Sequence, residues 1–116
     1  MTPSNPYLVR AIHQWLSDND DIPHILVDTN KPGVVVPKEY IENDLIVLNI
    51  SYGATKSLQI ANEMLSFETR FSGKSHSLQI PISSIKNIYG LNSKEGLELP
   101  PIDEPEVSNT PNLKLV

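Results

Sequence analysis

Cysteine is absent from this 116-residue chain. Its absence removes disulfides, thiolate nucleophiles and the common structural zinc sites together, and it suits a reducing cytosol. Glycine occurs only 5 times, scattered, so neither a phosphate-cradling loop nor a dinucleotide fingerprint is present. Lysine and arginine number 9 against 14 aspartates and glutamates, a formal net charge of -5. No positive excess invites a phosphate backbone, and no nucleic acid is expected as a partner. No stretch approaches the roughly 18 apolar residues of a membrane span. Met1-Thr2-Pro3-Ser4-Asn5-Pro6 lacks the basic and apolar regions of a signal peptide. With 39% apolar and 20% charged residues, the expectation is one soluble, cytoplasmic domain with a real core.

Catalytic patterns are equally scarce. His13, His24 and His76 stand alone, without a second histidine at ligand spacing, and each reads as a surface or packing residue. Asp18, Asp20 and Asp21 lack the glycine and closing glutamate of a calcium loop, so they read as a solvated connection. No serine sits in a Gly-x-Ser-x-Gly elbow, and whether Glu63 and Glu68 act as a carboxylate pair depends on the fold. The expectation is therefore no enzyme, no catalytic residue, no cofactor and no metal.

What is present is one amphipathic helix followed by β-type runs. Asn5 can cap and Pro6 fits the first helical position. Leu8, Ala11, Ile12, Trp15 and Leu16 then recur at three and four residues, with Arg10, His13, Gln14 and Ser17 mostly on the other side. Trp15 is either a core anchor or a contact with a second copy of the helix, since large amphipathic residues favour interfaces. From His24 the period changes to Ile25–Thr29, the turn residues Asn30-Lys31-Pro32-Gly33, and Val34–Val36 cut by Pro37, an edge strand or strand end. Leu45–Ser51 is so apolar that it predicts burial on both sides, or on one side plus a partner. Leu58–Ile60 alternates. In Met64–Phe71, Leu65, Phe67, Thr69 and Phe71 share one face. Ser72-Gly73-Lys74 turns the chain into Ser77–Pro81, and Ser83 or Ser84 is expected to cap a short helix through Ile85, Ile88 and Tyr89, ended by Gly90. Past Leu99 come Pro100, Pro101, Pro105 and Pro111 among Asp103, Glu104 and Glu106, a composition that predicts an extended, mobile tail. It ends in the apolar cluster Leu113-Lys114-Leu115-Val116, which is either disordered debris or a ligand for another protein.

Several blocks, in order, resemble the stringent starvation protein B (SspB) family. They are Pro6–Ala11 with Trp15-Leu16 and Asp18-Asn19, then Pro23–Asp28, Pro32-Gly33-Val34 and Val36–Tyr40. Ile46–Ile50, Phe67–Gly73 and Ile80-Pro81 through Ile88-Tyr89 complete the match. The resemblance covers about residues 5 to 90. It implies an α+β, mainly β fold: an N-terminal helix packed on a small Sm-like β barrel or sandwich, with a disordered C-terminal tail. It also implies a non-enzymatic adaptor that holds ssrA-type degradation tags in a groove and tethers tagged proteins to the ClpXP protease. Residues 1–92 would then be the tag-binding and dimerisation domain, 93–112 a flexible linker, and 113–116 the motif docking on the N-terminal domain of ClpX. Strand parity and the family match together nominate Ile50, Ser51, Phe67, Thr69 and Phe71 for the groove. Leu113, Lys114, Leu115 and Val116 are nominated for unfoldase docking, and Leu8, Ala11, Ile12 and Trp15 for a homodimer interface.

Three features depart from the family pattern. From Pro100 to Asn112 the linker spans at most roughly 40 Å at about 3.3 Å per residue. The closing motif lacks a final lysine, and Thr69 stands where relatives have alanine. The alternative reading, an Sm-like or OB-type nucleic-acid-binding module, is opposed by the charge balance.

Overall fold

A computed structural model of the protein describes residues 1–102. Helix α1 spans Asn5–Asp18, with Ser4 as its cap and Pro6 in its first turn. Asn5, expected as the cap, lies inside the helix and is buried; its Nδ2 donates to the Pro100 carbonyl at 2.7 Å. That bond satisfies a buried amide and fixes the far end of the described chain against the start of the helix.

Among the described residues seven antiparallel strands follow: β1 (Pro23–Asp28), β2 (Leu45–Asn49), β3 (Lys56–Ile60), β4 (Met64–Phe71), β5 (Lys74–Pro81), β6 (Ile85–Gly90) and β7 (Gly96–Glu98). They form a four-stranded sheet in the order β2-β1-β6-β7 and a three-stranded sheet in the order β3-β4-β5. The two sheets are not closed on each other, so the expected helix-plus-β architecture takes the form of a sandwich rather than a barrel. Every second residue points inward. Ile25, Val27, Ile46, Leu48 and Ile88 of one sheet join Leu65, Phe67, Leu78 and Ile80 of the other in one core. Between β4 and β5, Ser72 and Gly73 have φ of 51° and 81°, as a two-residue hairpin turn of the I′ type requires.

Several local expectations change. The core-facing side of α1 is Val9, His13 and Leu16, all at most 2% exposed, while Ala11 and Trp15 face outward. The predicted stripe was rotated because His13 is inside, where its ring finds a backbone partner, and Trp15 outside. Of the two alternatives for Leu45–Ser51, burial on both sides is excluded: strand β2 is a sheet edge buried on one side, with Val47 51% exposed. Val34–Val36 contributes a single bridge, Val35 to Gln79, rather than a strand.

The segment Ile85–Gly90 is strand β6, not a helix. Its pairing with β1 shifts register, so that Val27 faces Ile85 while Leu26 faces Asn87. The extra residue, Lys86, brings Ile85 and Ile88 to the same buried side three residues apart, a helix-like spacing produced by a β-bulge.

Residues 96–102 lie within the span expected to be linker, yet they are built into the body. β7 pairs with β6, and Leu99 is 7% exposed in the core. Ile102 packs against the core. Residues 103–112 and the cluster Leu113–Val116 lie outside the described residues. The acidic loop also has a definite task. The Asp21 carboxylate accepts the amides of Ile22 (2.8 Å), Asn92 (3.0 Å) and Ser93 (3.0 Å), clamping the β6–β7 turn. The Ser93 hydroxyl first, and then the Asn92 amide, hold its carboxyl well below the usual carboxylate range.

Candidate peptide-binding groove

The five residues nominated for a groove divide into two groups. Ile50 and Phe67 are 0% and 3% exposed and belong to the core. Ser51, Thr69 and Phe71 are partly exposed; Thr69 and Phe71 line hollows beside the C-terminal half of β4, whereas Ser51 lines neither.

One side of the groove is backbone. The Ile50 amide donates to Pro23 and the Thr29 amide to Asp44, each at 2.9 Å, so the even-numbered residues of β2 turn toward β1. In an antiparallel ladder the intervening residues turn the other way. Leu45 does so, exchanging two 2.9 Å bonds with Glu42. Val47 and Asn49 follow the same parity, and among the described residues no strand pairs with that edge beyond the Glu42–Leu45 bridge. Their N–H and C=O groups are a template for one more strand.

The other side is built from side chains. Near Phe71 a hollow of ≈ 460 Å³ is lined by Leu26, Tyr40, Leu45, Val47 and Phe71, with Glu42 at its border. The Tyr40 and Phe71 rings lie 4.8 Å apart at 32°, and the Tyr40 hydroxyl hydrogen-bonds the Ser72 hydroxyl at 2.6 Å. His76 meets the Phe71 ring edge-on at 5.6 Å. Two residues back on the same strand face, Thr69 lines a second hollow of ≈ 520 Å³ with Ala54, Thr55, Lys56, Glu68, Arg70 and Ser75. The first hollow suits an apolar or aromatic side chain, and the second is polar and bears both signs of charge.

The wall between β2 and β3 is a tight turn. The Ser51 amide is bonded to Asn49 Oδ1 (2.9 Å), and the Ser51 carbonyl accepts both the Ala54 amide (3.1 Å) and the Thr55 hydroxyl (2.8 Å). Behind it, His13 Nε2 lies 2.7 Å from the Ile50 carbonyl. A carbonyl only accepts, so this nitrogen carries the proton. Burial lowers the His13 pKa, partly opposed by this same bond, and the ring is held neutral.

Away from the groove, the residues nominated for dimerisation split in the same manner. Leu8 and Ile12 pack against the chain's own core, whereas Ala11 and Trp15 are exposed, Trp15 at 47%. Tyr7, one turn before Ala11, is 53% exposed and lies under the Arg10 guanidinium at 4.6 Å. Arg10 in turn bonds the Ile60 carbonyl (2.8 Å) and Asn62 Oδ1 (3.0 Å), fixing α1 to the β3–β4 connection. Among the described residues no three histidine, aspartate or glutamate side chains converge as metal ligands. No helix of theirs is long and apolar enough to cross a membrane.

Sequence reasoning missed Tyr40, Val47 and Leu26. Tyr40 was part of a block that carried the family resemblance, and Val47 lay in the most apolar run. What hid Val47 was the edge position of its strand, which only the sheet order reveals.

The family model for stringent starvation protein B matches residues 3–114. The chain belongs to the stringent starvation protein B family. It is similar to a stringent starvation protein B homolog of Haemophilus influenzae, 41% identical over 100 residues that cover 86% of this chain and 67% of the relative. The family match embraces all seven strands and the helix, so the groove lies wholly within its span.

Proposed function

We propose that this chain is a non-enzymatic, cytoplasmic adaptor that binds ssrA-type degradation tags in the groove beside β2 and tethers tagged proteins to ClpXP. The observation that carries the reading is the unpaired edge of β2 at Val47 and Asn49 beside the hollow of Tyr40 and Phe71, in a member of the SspB family. An extended peptide laid along β2 gains backbone hydrogen bonds from the edge, and its alternate side chains enter the hollows, which supply specificity. Thr69 and Phe71 line the hollows, Ser51 belongs to the turn, and Ile50 and Phe67 support the surface from beneath.

No chemical step is needed. A substrate held in the groove and an unfoldase held by residues 113–116 meet as parts of one assembly, at an effective concentration on the order of millimolar for a short linker. Each contact can then be weak on its own. Two copies joined through the exposed face of α1 would carry two grooves and two tails.

Titration of a fluorescently labelled ssrA-type peptide into the full chain tests the reading. Saturable binding, one peptide per chain, is expected, and competition by unlabelled peptide but not by a scrambled one. A flat titration overturns it.

A further inference from the structure

His13 is buried and lines neither hollow of the groove, and the peptide-binding reading gives it no task. Its bond partner does have one. Ile50 is where the chain leaves β2, and its own amide is bonded to Pro23, so its peptide units mark the last fixed point before the 51–55 turn. The next anchor is Ala54, whose carbonyl receives the Thr69 hydroxyl at 2.8 Å. The turn that walls the Thr69 hollow is thus pinned at one end by α1 and at the other by β4. Tyr52, 61% exposed, sets the edge of one ring against the face of the other at His13, with centroids 4.8 Å apart and planes at 88°. The turn therefore touches the helix twice, once through backbone and once through a ring.

We propose that His13 is a positioning residue for peptide binding. By donating from Nε2 to the Ile50 carbonyl and packing on Tyr52, it fixes the 51–55 turn in the position that keeps the Thr69 hollow open along β2. An aliphatic residue of similar size would fill the space under the helix equally well, but it would leave the Ile50 carbonyl without this donor. The Ile50 end would then keep its amide bond to Pro23 but lose the tie to α1, while the Ala54 end stays bonded to Thr69. The inference rests on the peptide-binding reading for its functional half, while its mechanical half, the restraint of the turn, stands independently.

Three variants of the full chain separate positioning from plain stability. His13→Leu removes the donor and keeps the volume. His13→Gln places an amide N–H at nearly the same reach. Val9→Ala, on the same buried face of α1 without any bond to the turn, destabilises the domain by another route. Hydrogen exchange should show the Ala54 amide opening about tenfold faster in His13→Leu than in Val9→Ala once both are compared at equal global stability. The labelled ssrA-type peptide should bind His13→Leu at least about fivefold more weakly than wild type, and His13→Gln within about twofold of it. Unchanged exchange at Ala54 overturns the proposal. So does an affinity of His13→Leu no lower than that of Val9→Ala. If the wild-type chain itself fails to bind peptide, the function proposed above falls, and the exchange experiment alone decides whether His13 restrains the turn.

Discussion

The hydroxyl of Thr69 donates to the carbonyl of Ala54 at 2.8 Å. This bond joins the middle strand of the three-stranded sheet to the turn that leaves the edge of the other sheet. It sets the separation of the two walls where the sandwich opens. A residue with no hydrogen-bonding side chain at 69 would leave that carbonyl to water, so the threonine both lines the hollow and holds its border.

The first prediction follows from that double role. Thr69→Gln places a longer amide in the hollow of ≈ 520 Å³ while keeping a donor near Ala54. Affinity for an ssrA-type peptide should fall at least tenfold, about 1.4 kcal/mol. The melting temperature should stay close to that of the wild type, because position 69 is only partly buried. Undiminished affinity would place the groove elsewhere.

A second prediction concerns assembly. Tyr7, Ala11 and Trp15 recur every four residues on the outer side of α1, and all three are exposed. An aromatic face of this kind is suited to a second copy of itself across a twofold axis. Sedimentation of the full chain should give twice the 12.9 kDa monomer mass, and Trp15→Glu should return it to one. A monomeric wild type at tens of micromolar contradicts the interface.

The limits of reading this fold from its sequence lie at a few identifiable residues. Strands β4 and β5 were legible because Leu65, Phe67, Thr69 and Phe71 alternate strictly and Ser72-Gly73 accepts positive φ. The helix was legible as a helix, but its inward face was not. Hydrophobicity ranks Trp15 above His13, and the partner that allows His13 inside, the Ile50 carbonyl, is 37 residues away. Strand β6 imitated a helix because Lys86 is an inserted residue that restores a spacing of three between two buried isoleucines. For the groove, Thr69 and Phe71 could be nominated from strand parity and the family match. Tyr40, Val47 and Leu26 could not, since they converge only when β2 is known to be an edge.

His13 also sets a pH dependence. Its pKa in the folded chain is lowered from 6.5, mainly by burial, so the unfolded chain binds the proton more readily. Stability is then fully present above pH 6.5 and falls as the pH drops toward the lowered value, with a slope of at most about 1.4 kcal/mol per pH unit from this one group. Denaturant midpoints between pH 7.5 and 5 should decline in the wild type and decline less in His13→Gln. Equal slopes in the two proteins would refute the assignment.

Asp21 acts in a different pH range. Its carboxyl, held well below 3.8 by the Ser93 and Asn92 donors, restrains the β6–β7 turn in its ionised form. The restraint is present above pH 3.8 and is lost as the pH falls through the lowered folded value. The Asn92 and Ser93 amides should be protected from exchange at pH 5, and Asp21→Ala should remove that protection while Ile25 remains protected. Continued protection in the variant would show that the turn holds itself.

The last prediction separates an adaptor from a peptide-binding domain alone. Residues 103–112 carry Asp103, Glu104, Glu106, Pro105 and Pro111, and the sequence then turns to Leu113-Lys114-Leu115-Val116. Three apolar residues around one lysine suit insertion into a hydrophobic patch on the unfoldase, with the ammonium at its border. Among the described residues the two hollows are lined by positions between Leu26 and Ser75, so a chain shortened after Pro111 should bind ssrA-type peptide as the full chain does and melt at the same temperature. It should no longer accelerate degradation of a tagged substrate by ClpXP when substrate is scarce. At saturating substrate the two chains should converge, because tethering raises local concentration and leaves the rate of the proteolytic step untouched. Substituting Leu113 and Leu115 by serine in the full-length chain should reproduce the truncation, which excludes an effect of length alone. Full stimulation by the shortened chain at low substrate would mean that docking on the unfoldase comes from the folded body, and that the terminal cluster serves some other contact.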